Sequence, residues 1–307
     1  MIPNSGSRPT ARRHRAMARR CIPVCIATLL SGGVSGCRDW PDAVLTQLMD
    51  ARRLVADLRV QFTKGADASN RAVMAYSDEG AASAAREAEA ATQAVQRDAL
   101  ALQPILQKLA YAEEGRHLEE FNTQFAEYRT LDSSILGLAV ENTNLKAQRL
   151  SFGPSREAAD AVHDSLERIA RSPLPDTCRV EALVAEAVAA VREVQVLQAP
   201  HIAEADDAAM SRMEQQMATA EAAARSALGS LKSLIPPAAG PALAGATTAL
   251  DRFTRINTEL IALSRRNSNV RSLALSLGRK RTLTAACDES LHALQEALSK
   301  RGFTATR

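Results

Sequence analysis

One stretch of this chain occurs twice, and that repetition constrains the fold more than any other feature. Residues Glu141 to Arg156 read ENTNLKAQRLSFGPSR, and residues Arg266 to Arg281 read RNSNVRSLALSLGRKR, at a constant offset of 125. Asn142/Asn267, Asn144/Asn269, Leu150/Leu275, Ser151/Ser276, Gly153/Gly278 and Arg156/Arg281 are identical pairs. The segment leading in repeats as well: Phe125, Tyr128, Leu131, Ile135 and Leu138 align with Leu250, Phe253, Ile256, Leu260 and Leu263. Chance does not hold one register this long, so the chain is a tandem duplication.

Composition narrows what each copy can be. Of 307 residues 46% are apolar but only 3% aromatic, and Ala, Leu and Arg dominate. β-Branched and aromatic residues, which sheets favour, are scarce, so the fold class is all-α with helices packed through small side chains. Apolar positions at helical spacing predict helices over residues 42–77, 81–112, 115–152 and 155–171, then over 177–199, 202–234, 241–277 and 279–300. Pro104 predicts a kink in the second. Gly153-Pro154, Pro200, Pro236-Pro237 and Gly278 predict stops. Four segments per copy with short connections predict two tandem up-down-up-down four-helix bundles with long helices, over 42–172 and 177–301. Ser172-Pro173-Leu174-Pro175-Asp176 supplies the linker at 173–176, and 302–307 is a tail.

The first 36 residues differ from the rest. They carry six Arg and no acid, and without them the chain has 32 basic and 35 acidic residues. The basic excess therefore belongs to the leader, and nucleic-acid binding gains no support. Arg19-Arg20 forms a basic region, Cys21 to Leu30 an apolar run too short to span a bilayer, and Val34-Ser35-Gly36-Cys37 follows. This order resembles the signal peptide and lipobox of bacterial lipoproteins, with Met17 a better start than Met1. The resemblance implies removal of residues 1–36, acylation of Cys37 and a short lipidated tether over 37–41. Arg38 in place of Asp resembles the outer-membrane sorting signal. The implied address is the bacterial cell envelope, lipid-anchored, at the outer membrane facing the periplasm.

Ala-rich paired helices, an N-x-N segment late in the third helix and S-[FL]-G before the fourth resemble the four-helix-bundle sensory domain of methyl-accepting chemotaxis receptors. Those receptors add a second transmembrane helix, a linker module and a signalling coiled coil, none of which is read here. The resemblance implies a non-enzymatic module that binds a small solute or a partner protein's helices, with a homodimer among its expected partners. A structural envelope lipoprotein without ligand is the alternative, and a metal- or haem-binding bundle is a third reading.

Asn142, Asn144, Asn267 and Asn269 are the candidate ligand-binding residues. Asn142 and Asn267 sit on the apolar stripe where Leu is expected, so their amides either line a solute cavity or set helix register by bonding across an interface. Glu114/His117 and Glu289/His292 both satisfy Glu-x-x-His, but they are not equivalent under the 125 offset, and no metal site is assigned. C-x-x-C-H, G-x-S-x-G and phosphate-loop patterns do not occur, so neither cofactor nor catalytic residue is assigned. In an up-down bundle Cys178 and Cys287 fall at heights that differ by roughly 20 Å, too far for a disulfide.

Overall fold

The computed structural model describes residues 39–173 and 176–304, with side chains described between 43 and 301. Cys37, the leader, part of the linker and the last residues of the tail lie outside the described residues. Among the described residues ten α-helices follow in order: α1 Asp39–Val73, α2 Asp78–Lys108, α3 Ala112–Glu141, α4 Thr143–Leu150, α5 Arg156–Ala170, α6 Thr177–Ala203, α7 Asp207–Leu231, α8 Gly240–Arg266, α9 Ser268–Leu275 and α10 Arg281–Thr304. Among the described residues there is no strand, and no helix is long and apolar enough to cross a membrane.

Local chemistry explains the boundaries. The hydroxyl of Ser77 accepts from Gly80 N at 3.0 Å to start α2. Asp176 and Asp206 accept from Arg179 N and Ala209 N to start α6 and α7, each cap satisfying an orphan backbone donor. The buried face of α2 is mostly Ala, from Ala81 to Ala99, with Leu102 and Leu106 at its end. So small a surface lets α1 come close. A Cβ placed on Gly65 would lie 3.4 Å from Ala91 Cβ. Where α2 widens, Phe62, Phe121, Phe125 and Tyr128 fill the space with ring centroids 5.1–6.2 Å apart, contacts worth about 0.5–1.5 kcal/mol each beyond burial.

Three predicted boundaries are corrected. The third helix of each copy does not run unbroken to its Gly. It breaks at Asn142 (φ 52°, ψ 39°) and Asn267 (φ 53°, ψ 36°), both left-handed. Asn tolerates that region better than other side-chain-bearing residues, which is why the break falls there. Gly153-Pro154 does not end a helix, whereas Gly278, at φ −90° and ψ −108°, leaves helical geometry and kinks the chain where a stop is predicted. Both lie in five-residue π-helical segments, Ser151–Ser155 and Ser276–Lys280, that join α4 to α5 and α9 to α10. A wider π turn tolerates the missing backbone N–H of Pro154. Pro200 likewise sits inside α6, which continues to Ala203.

The consequence is large. With reversals removed, residues 112–170 and 240–304 become two broken rods of about 90 and 100 Å of helix at 1.5 Å per residue. They run antiparallel: Arg301 meets Glu114, Ser290 meets Gln124, and Arg279 meets Glu127. The hairpin α1–α2 covers one end and α6–α7 the other. The core at the first end draws Leu58 and Phe62 from α1, Leu102 from α2, Phe121 from α3, and Leu291 and Leu294 from α10. At the second end the core joins Leu166 of α5 to Val194 of α6, Leu228 of α7 and Phe253 of α8. Each copy therefore lends its last helix to the other. The partition at 172/177 marks the repeat in sequence, while each core is shared across it.

Candidate functional site

The two rods cross where the repeated stretch lies, and the crossing is closed reciprocally. Thr143 N donates to Ser268 Oγ at 3.0 Å, and Ser268 N donates to Thr143 Oγ1 at 3.1 Å. One step on, Asn144 N donates to Asn269 Oδ1 and Asn269 N to Asn144 Oδ1, both at 3.1 Å. Asn144 Nδ2 donates to Asn267 Oδ1 at 2.8 Å, and Asn269 Nδ2 to Asn142 Oδ1 at 2.7 Å. Every pair is related to its mate by the 125 offset, so the clasp has an internal two-fold. All four candidate asparagines are brought together here, with each amide engaged on both its oxygen and its nitrogen.

The tips of both hairpins dock on this clasp. Asn142 Nδ2 donates to Asp78 Oδ1 at the start of α2, at 2.8 Å. That bond, with Arg149 and Lys146 nearby, holds the Asp78 carboxyl below its usual range. Asn267 Nδ2 donates to the Glu204 carbonyl and Asn144 Nδ2 to the Ile202 carbonyl at the end of α6. These bonds take up terminal carbonyls that the helix leaves unpaired. Beside them His201 is buried, its Nδ1 2.8 Å from Ser264 Oγ and its Nε2 2.9 Å from Glu214 Oε1. The Glu214 carboxyl also takes a two-pronged bond from Arg265, at 2.6 and 2.9 Å, which pulls it below the usual carboxylate range. On the outside Glu141 and Arg266, again 125 apart, form a bidentate pair at 2.5–2.6 Å.

One helical stretch away on either side, each core carries a polar layer fed by the last residue of a π-segment. In the first, Lys280 and Asp132 are each 2% exposed and 2.8 Å apart. Ser69 bonds Asp132 at 2.6 Å and also bonds Lys280. The Lys280 ammonium lies 5.7 Å from the Tyr128 ring centroid, and burial pushes the Tyr128 phenol far up. The equivalent layer in the second core is uncharged where Ser155 and Asn257 replace Lys280 and Asp132. Gln198 bonds both, at 2.9 and 3.0 Å, and Asn257 reaches Glu221 at 3.1 Å, whose carboxyl burial raises. Isolated polar residues on an otherwise apolar stripe were the signal for these layers.

Two of the concave regions on the described residues lie at the far ends. A cleft of about 580 Å³ sits at the α2–α3 turn, walled by Gln103, Gln107, Tyr111, Gly115, Leu118 and Asn122. A second of about 790 Å³ sits at the α7–α8 turn, walled by Leu228, Lys232, Pro236, Gly240, Leu243 and Thr247. Those six pairs are again related by 125. The duplication therefore places a cleft at the equivalent position of each end, within the volume range of small-molecule sites, although only Gly115/Gly240 and Leu118/Leu243 keep the same wall residue.

The remaining candidates are spread apart. Glu114 is fully buried and bonds Arg301 at 2.6 and 3.0 Å, while His117 Nδ1 lies 3.3 Å from Glu120. Among the described residues no three His, Cys, Asp or Glu side chains gather as metal ligands. Cys178 and Cys287 are free. Cys287 is buried in the first core, where burial pushes its thiol up to about 12, and Cys178 is exposed at the start of α6. Comparison with protein-family models, curated proteins and solved structures finds no match for this chain.

Proposed function

We propose that this is a non-enzymatic, lipid-anchored protein of the bacterial envelope, built as two four-helix bundles of the chemoreceptor sensory type that exchange their last helices. Its task is to bind a small solute in the end clefts and present the bound state to a partner. Acylated Cys37 holds it at the outer membrane on the periplasmic side. The recurrence of a cleft at both ends, at positions related by the duplication, is the observation that supports solute binding. The clasp asparagines take a structural part in this reading, because their amides already bond one another and the hairpin tips.

Gly115 and Gly240 are equivalent wall residues, and a Cβ added at either meets nothing within 4 Å. Leu at these positions fills a cleft without straining a helix, since Leu exceeds Gly in helix propensity. A thermal-shift screen of a solute library on the Cys37→Ser chain is expected to give hits that raise the melting temperature, because the ligand binds the folded state alone. Gly115→Leu combined with Gly240→Leu is expected to abolish those shifts while leaving the unliganded melt in place. Hits that survive both substitutions overturn the cleft assignment. A screen without hits favours the second reading, a scaffold, which the fully bonded clasp and the length of the rods support.

A further inference from the structure

We infer that the first turns of α1 form a bilayer-docking face, so that the protein leans on its membrane instead of swinging from a lipid tether. The inference rests on the lipid-anchored reading above. Val44, Leu45 and Met49 are 39%, 58% and 57% exposed, while their neighbours Leu48, Ala51 and Leu54 face the core. Leu45 and Met49 are four residues apart and so stack on one outward flank. Isolated exposed apolar side chains need no explanation, but position sets these three apart.

Cys37 precedes Val44 by seven residues. Even fully extended, that length reaches about 25 Å, and a helix from Asp39 onward shortens it further. Acyl chains on Cys37 enter the bilayer, so these side chains are held within reach of an apolar phase throughout the protein's life. The same end of the molecule mixes both charge signs. Arg53 is within 3.7 Å of Asp50, Arg301 is paired with Glu114, and the Arg52 guanidinium is taken by the Leu298 and Ser299 carbonyls. Apolar insertion is therefore the attraction, with little part for anionic headgroups. Val60 is equally exposed, at 62%, but stands sixteen residues further along α1 and provides the internal control.

The test uses the acylated full-length protein, with exposed Cys178→Ser, in vesicles of phosphatidylethanolamine and phosphatidylglycerol. A polarity-sensitive thiol dye is placed singly through Val44→Cys, Met49→Cys or Val60→Cys. Dyes at 44 and 49 are expected to be quenched by a lipid-borne quencher and shielded from iodide, with the dye at 60 behaving oppositely. Adding Leu45→Glu to Val44→Cys is expected to cut lipid quenching about tenfold while the helical spectrum and melting temperature stay put, because Leu45 is largely exposed. Raising the salt is expected to change nothing. Iodide quenching at 44 and 49 equal to that at 60 overturns docking. Shielding from both quenchers places protein on this face and overturns it as well. The mass of the mature N-terminus is read on the same sample. Acylation with water-exposed dyes defeats docking alone, and an unmodified Cys37 defeats the anchoring reading and docking with it.

Discussion

Thr143 and Ser268 stand 125 residues apart, and each accepts the other's backbone N–H on its side-chain hydroxyl, at 3.0 and 3.1 Å. A reciprocal pair of this kind is what a two-fold axis between identical subunits produces. Here the axis lies within one chain, at the point where each copy passes its last helix to the other. The clasp therefore controls which helices share a core, and its residues carry the most direct consequences for stability.

Leu at Asn142 or Asn267 is expected to destabilise. A branched side chain in the left-handed region costs about 1–2 kcal/mol, and each lost buried hydrogen bond adds about 1 kcal/mol. Urea unfolding of Asn267→Leu should show a loss of about 3–4 kcal/mol. Asn267→Gly, which accepts the backbone but lacks the amide, should lose about half as much. A neutral or stabilising Leu would mean that the helix runs straight through this point.

The helices themselves were legible in the sequence, because their apolar faces recur every three or four residues. The breaks at Asn142 and Asn267 were not. Leu138, Asn142 and Leu145 keep one stripe going across the break, so spacing alone reads a continuous helix. Exchange was hidden for a deeper reason. Val162, Leu166 and Ile169 of α5 match Cys287, Leu291 and Leu294 of α10, and all six are buried. Either last helix presents the same face, so periodicity cannot tell which core receives it. The repeated Thr143/Ser268 hydroxyls were a readable hint, being similar in chemistry at equal offset. The four asparagines were found together, yet spacing could not show that they would meet one another.

The buried Lys280–Asp132 pair should behave as a coupled unit. Removing one partner leaves an uncompensated charge in the core, at about 3–5 kcal/mol. Asp132→Asn and Lys280→Ser are each expected to lose stability on that scale. The double substitution reproduces the Ser155/Asn257 pairing of the second core, and should cost less than either single change. Denaturant melts of all four proteins form the thermodynamic cycle. Additive losses would deny the coupling.

Acid should loosen the first end through Glu114. Burial is the largest single influence and opposes ionisation of this carboxyl, but the two-pronged bond from Arg301, a backbone N–H bond and the nearby positive charge together outweigh it and leave the group below its usual range. A depressed carboxyl contributes stability that is present above about pH 4.3, its unfolded value, and is lost as pH falls through the lower folded value. Glu114→Gln should therefore flatten the acid limb of the stability curve. Arg301 is 38% exposed on its side chain, so solvent screening trims the loss at neutral pH to about 1–2 kcal/mol. An acid limb identical to that of the parent would remove Glu114 from this role.

Helix exchange is tested most directly by cross-linking surface cysteines. Arg252 and Glu157 meet at 3.4 Å between α8 and α5, and both are at least half exposed. Under the 125 offset Thr282 is the counterpart of Glu157, and it would face Arg252 if the second copy closed on its own last helix. With exchange, Thr282 lies about 45 Å along the rod from Arg252 at 1.5 Å per residue. In a Cys178→Ser background, a short bifunctional thiol reagent is expected to join Arg252→Cys to Glu157→Cys within one chain and to leave Arg252→Cys with Thr282→Cys unjoined. Efficient joining of 252 to 282, with none of 252 to 157, would show that each copy folds back on itself and would contradict the account.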